Sequence, residues 1–146
     1  MIISFCGHSD YTESPKDEAL VLEILQQTAG DGDVEFYLGE YGKFDYFAYR
    51  CAQKYRAINP NARLYFITPY INAQTNGNKK FDEIIYPPLE NVPPKFAISH
   101  RNRWMVERSD VIIAYISHKF GGAYTTYKYA VSNNKKIFNL CHSFSD

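Results

Sequence analysis

The chain has 146 residues, and its 16 basic and 16 acidic side chains cancel to a formal net charge of +0. That length suits a single domain over residues 1–146 whose core needs no disulfide or metal staple. Zero net charge argues against broad nucleic-acid binding, which relies on a basic surface to neutralise phosphates, so nucleic acid is not an expected partner. Cys6, Cys51 and Cys141 are scattered and odd in number, which gives no disulfide framework and points to a reducing cytoplasm. The opening MIISFCGHSD lacks the basic start of a leader, and no run approaches the roughly 18 apolar residues of a membrane span, so no membrane role is expected.

In chain order, IISFC (2–6) is a short, partly β-branched run stopped by Gly7 and predicts a first strand. SPKDEALVLEILQQTAG predicts a helix with Ser14 as N-cap, Pro15 in the first turn, Asp17 and Glu18 at the positive dipole end, and Gly30 as its stop. A second strand (34–39) leads into an amphipathic helix carrying Phe44, Phe47, Ala48, Cys51, Ala52 and Tyr55, which ends before Asn59 and Pro60. ARLYFIT (62–68) is the third strand. Residues 69–95 hold five prolines and a polar centre, a loop of the length that is functional or disordered, with a lid as one role. SHRNRWMVERSD predicts a short helix capped by Ser99, and DVIIAYIS (110–117), the most apolar strand, is expected at the sheet centre. A fourth helix over about 122–133 and a strand at 135–140 complete the series. Strand and helix alternating in this way predict a single Rossmann-like α/β domain, a parallel sheet of about five strands with helices on both faces.

In such sheets ligands gather beyond the carboxyl ends of the strands, at a switch in strand order. GGAYTT follows the 110–117 strand, where Gly121 and Gly122 let the backbone approach a ligand at a helix N-terminus and Thr125 and Thr126 add hydroxyls. A tight turn with Thr125 as cap explains the same residues equally well. GEYGKFD offers Gly39 and Gly42 to a phosphate or sugar and Asp45 to a ribose hydroxyl, against a plain strand-to-helix turn. CGHSDY offers Gly7 for close approach and His8, Ser9 and Asp10 as polar contacts; His8 is a candidate acid or base, more often a hydrogen-bonding group. Cys6 as a nucleophile is disfavoured, because Gly7 argues against a continuing strand that would bring His8 to the same face. Arg101, near a helix start, is placed to clamp a phosphate, whereas Arg103 and Arg108 read as solvated surface. His8, His100, His118 and His142 lack metal-binding spacing, so no metal is expected. Neither a Walker motif nor a G-x-G-x-x-G is present, and no cofactor is called for.

FCGHSDY, FYLGEYGKFD, YPPLENVPPKFAISHRNRWMVERSD and GGAYTTYKYA, in this order, resemble the SLOG superfamily over nearly the whole chain. That group includes the DNA-processing Smf/DprA proteins, the LOG phosphoribohydrolases and small YpsA-like proteins of bacteria and phages, which the last two motifs resemble most. The resemblance implies a Rossmann-like domain binding a nucleotide-derived small molecule, with Arg101 as the counterpart of the hydrolases' catalytic arginine. In their PGGxGTxxE loop, Phe120 stands for the proline, Tyr124 for the later glycine and Lys128 for the glutamate. A cation there cannot stabilise an oxocarbenium-like centre as a carboxylate does, which weakens the hydrolase alternative unless Glu40 or Asp45 supplies the carboxylate. The leading expectation is a sensor or sequestering module. Related proteins often dimerise, so Tyr124, Tyr127 and Tyr129 are expected to meet either another subunit or the ligand edge.

Overall fold

A computed structural model describes residues 1–71 and 79–146; positions 72–78, part of the expected lid, lie outside the described residues. Six strands and four α-helices follow one another as β1 (Ile2–Gly7), α1 (Pro15–Thr28), β2 (Val34–Leu38), α2 (Lys43–Ile58), β3 (Ala62–Ile67), β4 (Glu83–Ile85), α3 (Ala97–Arg108), β5 (Val111–Tyr115), α4 (Gly121–Ser132) and β6 (Lys136–Asn139). All pairings are parallel, in the order β4-β3-β2-β1-β5-β6. The winding therefore reverses between β1 and β5, and that gap is the switch point.

Side chains alternate across the sheet with the period of two that extended backbone imposes. Ile3, Phe36, Leu64 and Ile113 face α1 and α2, whose Val21, Leu25, Phe44, Phe47, Cys51 and Tyr55 complete the larger core. From the same strands Cys6, Ile112 and Ala114 face the other way, toward Val106 of α3 and Ala130 of α4. Helices thus cover both faces, as the alternating pattern implies.

Local chemistry sets the ends of the elements. Ser14 accepts a hydrogen bond from Lys16 N–H at 3.1 Å with Pro15 behind it, and Gly30 takes a positive φ of 54° where α1 stops. The far end of α2 pins that turn: Asn59, buried, donates to the carbonyls of Gly30 and Gly32.

The parallel sheet stands as expected, with six strands among the described residues where about five were expected, because the 69–95 stretch contributes β4, a three-residue edge strand paired with β3. Two expectations are corrected. Ser99 does not cap α3; the helix begins at Ala97, continuing a 3-10 turn at Pro94–Phe96, with Ser99 already inside it. β5 is buried but not central, since β1 and β2 occupy the middle and β6 closes β5 on its outer side. Among the described residues, no helix is long and apolar enough to cross a membrane.

Candidate functional site

A cleft of about 430 Å³ opens beyond the carboxyl ends of β1 and β5. Its walls come from the end of β1 and the loop after it (Gly7, His8, Ser9 and Asp10), from Tyr41 and Asp45 around the start of α2, from His118 and Phe120 ahead of α4 with Gly121, Gly122, Ala123 and Thr126 in its first turns, and from Ile98, Arg101 and Asn102 of α3.

The start of α4 is the first feature. Its N-cap is Phe120, which offers no side-chain oxygen, and no side chain caps the helix. Gly121 has a φ of +90°, and added Cβ atoms at Gly121 and Gly122 would meet nothing within 4 Å. The first amide N–H groups of the helix, where the dipole favours negative charge, therefore stand at an open wall. Thr125 and Thr126 do not cap it, since each hydroxyl donates to the carbonyl four residues back, Gly121 and Gly122 respectively. Thr126 still lines the cleft, whereas Thr125 is exposed outside it.

Arg101 is the second feature. It is only 4% exposed, so its charge is largely out of water. Nη1 donates to the carbonyl of Ile67 at 2.6 Å and Nε to Asn102 Oδ1 at 2.9 Å, while Tyr41 lies 5.3 Å from the guanidinium. No carboxylate among the described residues comes within ion-pairing distance of it. Burial lowers its pKa from the ordinary arginine value, with Asp45 opposing, yet a guanidinium remains charged. Asp45 is raised above the usual carboxylate range by burial, against the Tyr41 N–H donating at 2.8 Å and the pull of Arg101.

A stack of rings forms the third. His8 lies on His118 with centroids 3.6 Å apart, and His118 lies on Phe120 at 3.7 Å, which ties the loop after β1 to the loop after β5. Ser117 N–H donates to His8 Nε2 at 3.0 Å, so that nitrogen carries no proton. The buried His118 Nδ1 has no partner among the described residues. Burial, then His118, push the His8 pKa below its ordinary value, with Asp10 opposing.

Of the residues singled out in the sequence, Gly7, His8, Ser9, Asp45, Arg101, Gly121, Gly122 and Thr126 come together in this cleft; Gly39, Gly42 and Thr125 do not line it. Several glycines serve packing. A Cβ on Gly7 would lie only 2.2 Å from Phe44 Cγ, one on Gly42 would meet Ser9 Cα at 2.8 Å, and one on Gly39 would sit 3.1 Å from both Arg101 Nη1 and Asp45 Oδ2. β1 also runs through Gly7, contrary to the expected break. Cys6 nevertheless offers no nucleophile: burial, then Asp45, push its thiol up to about 12, and it donates to the Ala123 carbonyl. Lys128 turns away to Asp146, and Glu40 pairs with Lys79 at 3.5 Å beside a separate cavity. Tyr124 and Tyr127 pack against Phe144, and Tyr129 hydrogen-bonds Glu107, so none of the three meets the ligand edge. Sequence reasoning passed over Tyr41, Ile98, Asn102, His118 and Phe120 as lining residues. Only Tyr41, between Glu40 and Gly42, and the SHKF segment ahead of the glycine pair carried a local signal for them.

No protein-family model matches the chain, and no curated protein does. Among solved structures it is similar to the molybdenum cofactor binding protein from the phototrophic bacterium Rippkaea orientalis, at 22% identity and a TM-score of 0.58, covering 93% of this chain and 73% of that one. It is also similar to DNA processing protein A from Helicobacter pylori, which binds single-stranded DNA, at 17% identity and a TM-score of 0.59, covering 95% of this chain and 64% of that one. The likeness is one of fold, and it is consistent with the SLOG resemblance seen in the motifs.

Proposed function

We propose that the chain is a binding module for a nucleotide or nucleotide-derived ligand, of SLOG type, with the ligand's phosphate at the start of α4. One juxtaposition carries this reading: a buried arginine with no ion-pair partner among the described residues shares a cleft with an uncapped helix N-terminus whose two glycines leave open space. An anion there answers both the desolvated charge and the helix dipole. Asp45 then accepts from a sugar hydroxyl, and Ser9 and Asp10 add polar contacts at the same wall.

A rival reading, cleavage of an N-glycosidic bond, draws on Asp45 as a carboxylate in the cleft. Lys128 supports it no further, since its ammonium pairs with Asp146. The DNA-binding neighbour also brings single strands back into consideration despite the neutral charge, because a strand's phosphate fits the same anion site.

Thermal unfolding with AMP, ADP-ribose, cyclic ADP-ribose, NAD, cyclic dinucleotides and a short single-stranded oligonucleotide tests these readings together. A ligand at a hundred times its Kd adds ~2.7 kcal/mol, raising the midpoint by roughly 5–10 °C. A shift with a small nucleotide recovered intact supports the module; release of free base, lost in Asp45→Asn, supports the hydrolase; a shift with the oligonucleotide alone supports a strand-binding role. No shift with any of them removes the phosphate site.

A further inference from the structure

The phosphate reading leaves unexplained why an aromatic ring stands at the N-cap of α4. Phe120 cannot cap the helix, and at 67% exposure it is not a core residue either. It lines the cleft immediately before Gly121 and Gly122, so its ring adjoins the proposed phosphate position. One of its faces is fixed: His118 stacks on it at 3.7 Å and an interplanar angle of 19°, and His8 stacks behind His118 at 3.6 Å and 15°. The rearmost ring is anchored in turn by the Ser117 N–H. An exposed phenylalanine normally has rotamer freedom to lose on binding; here two stacked rings hold it in place beforehand.

We infer that the outer face of Phe120 is the stacking platform for the base of the ligand, so that the cleft recognises base-bearing nucleotides and discriminates against sugar phosphates and inorganic phosphate. Stacking on an aromatic face tolerates any base, because every base presents a π-surface. Tyr41 and Ile98, 40% and 38% exposed, add apolar surface to the same cleft. Phosphate at the helix start and base on the adjoining ring divide recognition into an electrostatic half and an apolar half. The inference rests on the phosphate site proposed above and can fail without it.

Calorimetric titration of the full chain with AMP, GMP, CMP and UMP, and in parallel with ribose 5-phosphate, tests it. Phe120→Ala and Phe120→Leu are expected to weaken whichever mononucleotides bind by about ten-fold, while ribose 5-phosphate binds as before. Phe120→Trp should keep the affinity, and its added indole emission should be quenched by the mononucleotide but not by ribose 5-phosphate. The platform is overturned if Phe120→Leu binds the mononucleotides as tightly as the parent chain, or if the loss is equal for ribose 5-phosphate. In both cases the phosphate site survives. If the parent chain binds neither kind of ligand, the phosphate site falls and the platform falls with it.

Discussion

Gly7 and Gly42, on one side of the switch point, and Gly121 and Gly122, on the other, sit in similar strand-to-helix turns and do opposite things. At the first pair a side chain has nowhere to go: the Phe44 ring fills the space above Gly7, and the Ser9 backbone abuts Gly42, whose neighbour Lys43 donates its N–H to the Ser9 carbonyl at 3.0 Å. At the second pair the space is open, and only the φ of +90° at Gly121 asks for glycine. One pair lets α2 dock on β1; the other leaves a wall bare. A glycine beside a ligand pocket is thus evidence for the pocket only when nothing of the protein occupies its missing Cβ.

Substitution at the two pairs should have opposite effects. Gly7→Ala should drive Phe44, wholly buried, out of its place and cost about 3 kcal/mol or more, an effect at the upper end for overpacking, seen as a fall of roughly 6–12 °C in Tm. A normal Tm would mean that the Phe44 ring is not seated on Gly7. Gly122→Asp should do the reverse: an acid in the first turn suits the helix dipole, so Tm holds or rises, while binding of a phosphate ligand falls by about 100-fold or more from like-charge repulsion and lost N–H access. Equal binding by this variant would leave the open wall without a ligand.

His8 sharpens the contrast because it joins the two sides. Its neutral form is favoured in the fold, since burial and His118 depress its pKa below the ordinary 6.5 and its Nε2 must accept from Ser117. The unfolded chain therefore binds this proton at higher pH than the folded one, and the stability from His8 is complete above 6.5 and declines as pH falls toward the folded-state pKa. His8→Gln, whose amide oxygen can accept the same N–H without titrating, should flatten the fall of Tm as the pH drops below 6.5. An unchanged slope would assign the titration to another group. Smallest of all, Thr125→Ala removes a hydroxyl bonded only to its own helix, and should change stability by no more than about 0.5 kcal/mol and ligand affinity not at all, as read by the same melts and titrations.

Much of the fold was legible because its signals are local. Ser14 with Pro15 and Gly30 mark the ends of α1 by chemistry that acts within one turn, and the apolar run at Val111–Tyr115 is strand whatever its neighbours are. β4 was not legible: three residues, two of them exposed, become a strand only because β3 offers an edge. Nor could apolarity place β5, since it reports burial and not order in the sheet. At the site, the loops and Arg101 were readable from topology, but the division between packing and open glycines depends on Phe44 and Ser9, which are opposite in space and not in sequence. Phe120 passed as a substitute for proline because its role depends on His8 and His118 arriving behind it.

The central position of β1 has a consequence for how the chain acquires its structure. One edge of β1 pairs with β2, close in sequence, whereas the other receives β5; at that seam Ile2 N–H binds Asp110 across a separation of 108 positions. During synthesis β1, β2 and β3 with α1 and α2 can assemble as they emerge, while the second edge of β1 waits, open to mispairing, for the remainder. Contacts so distant in sequence form late. The seam between β1 and β5 is also where the cleft lies, so a ligand has nothing to bind until the last step is done. It should therefore slow unfolding and leave the folding rate unchanged.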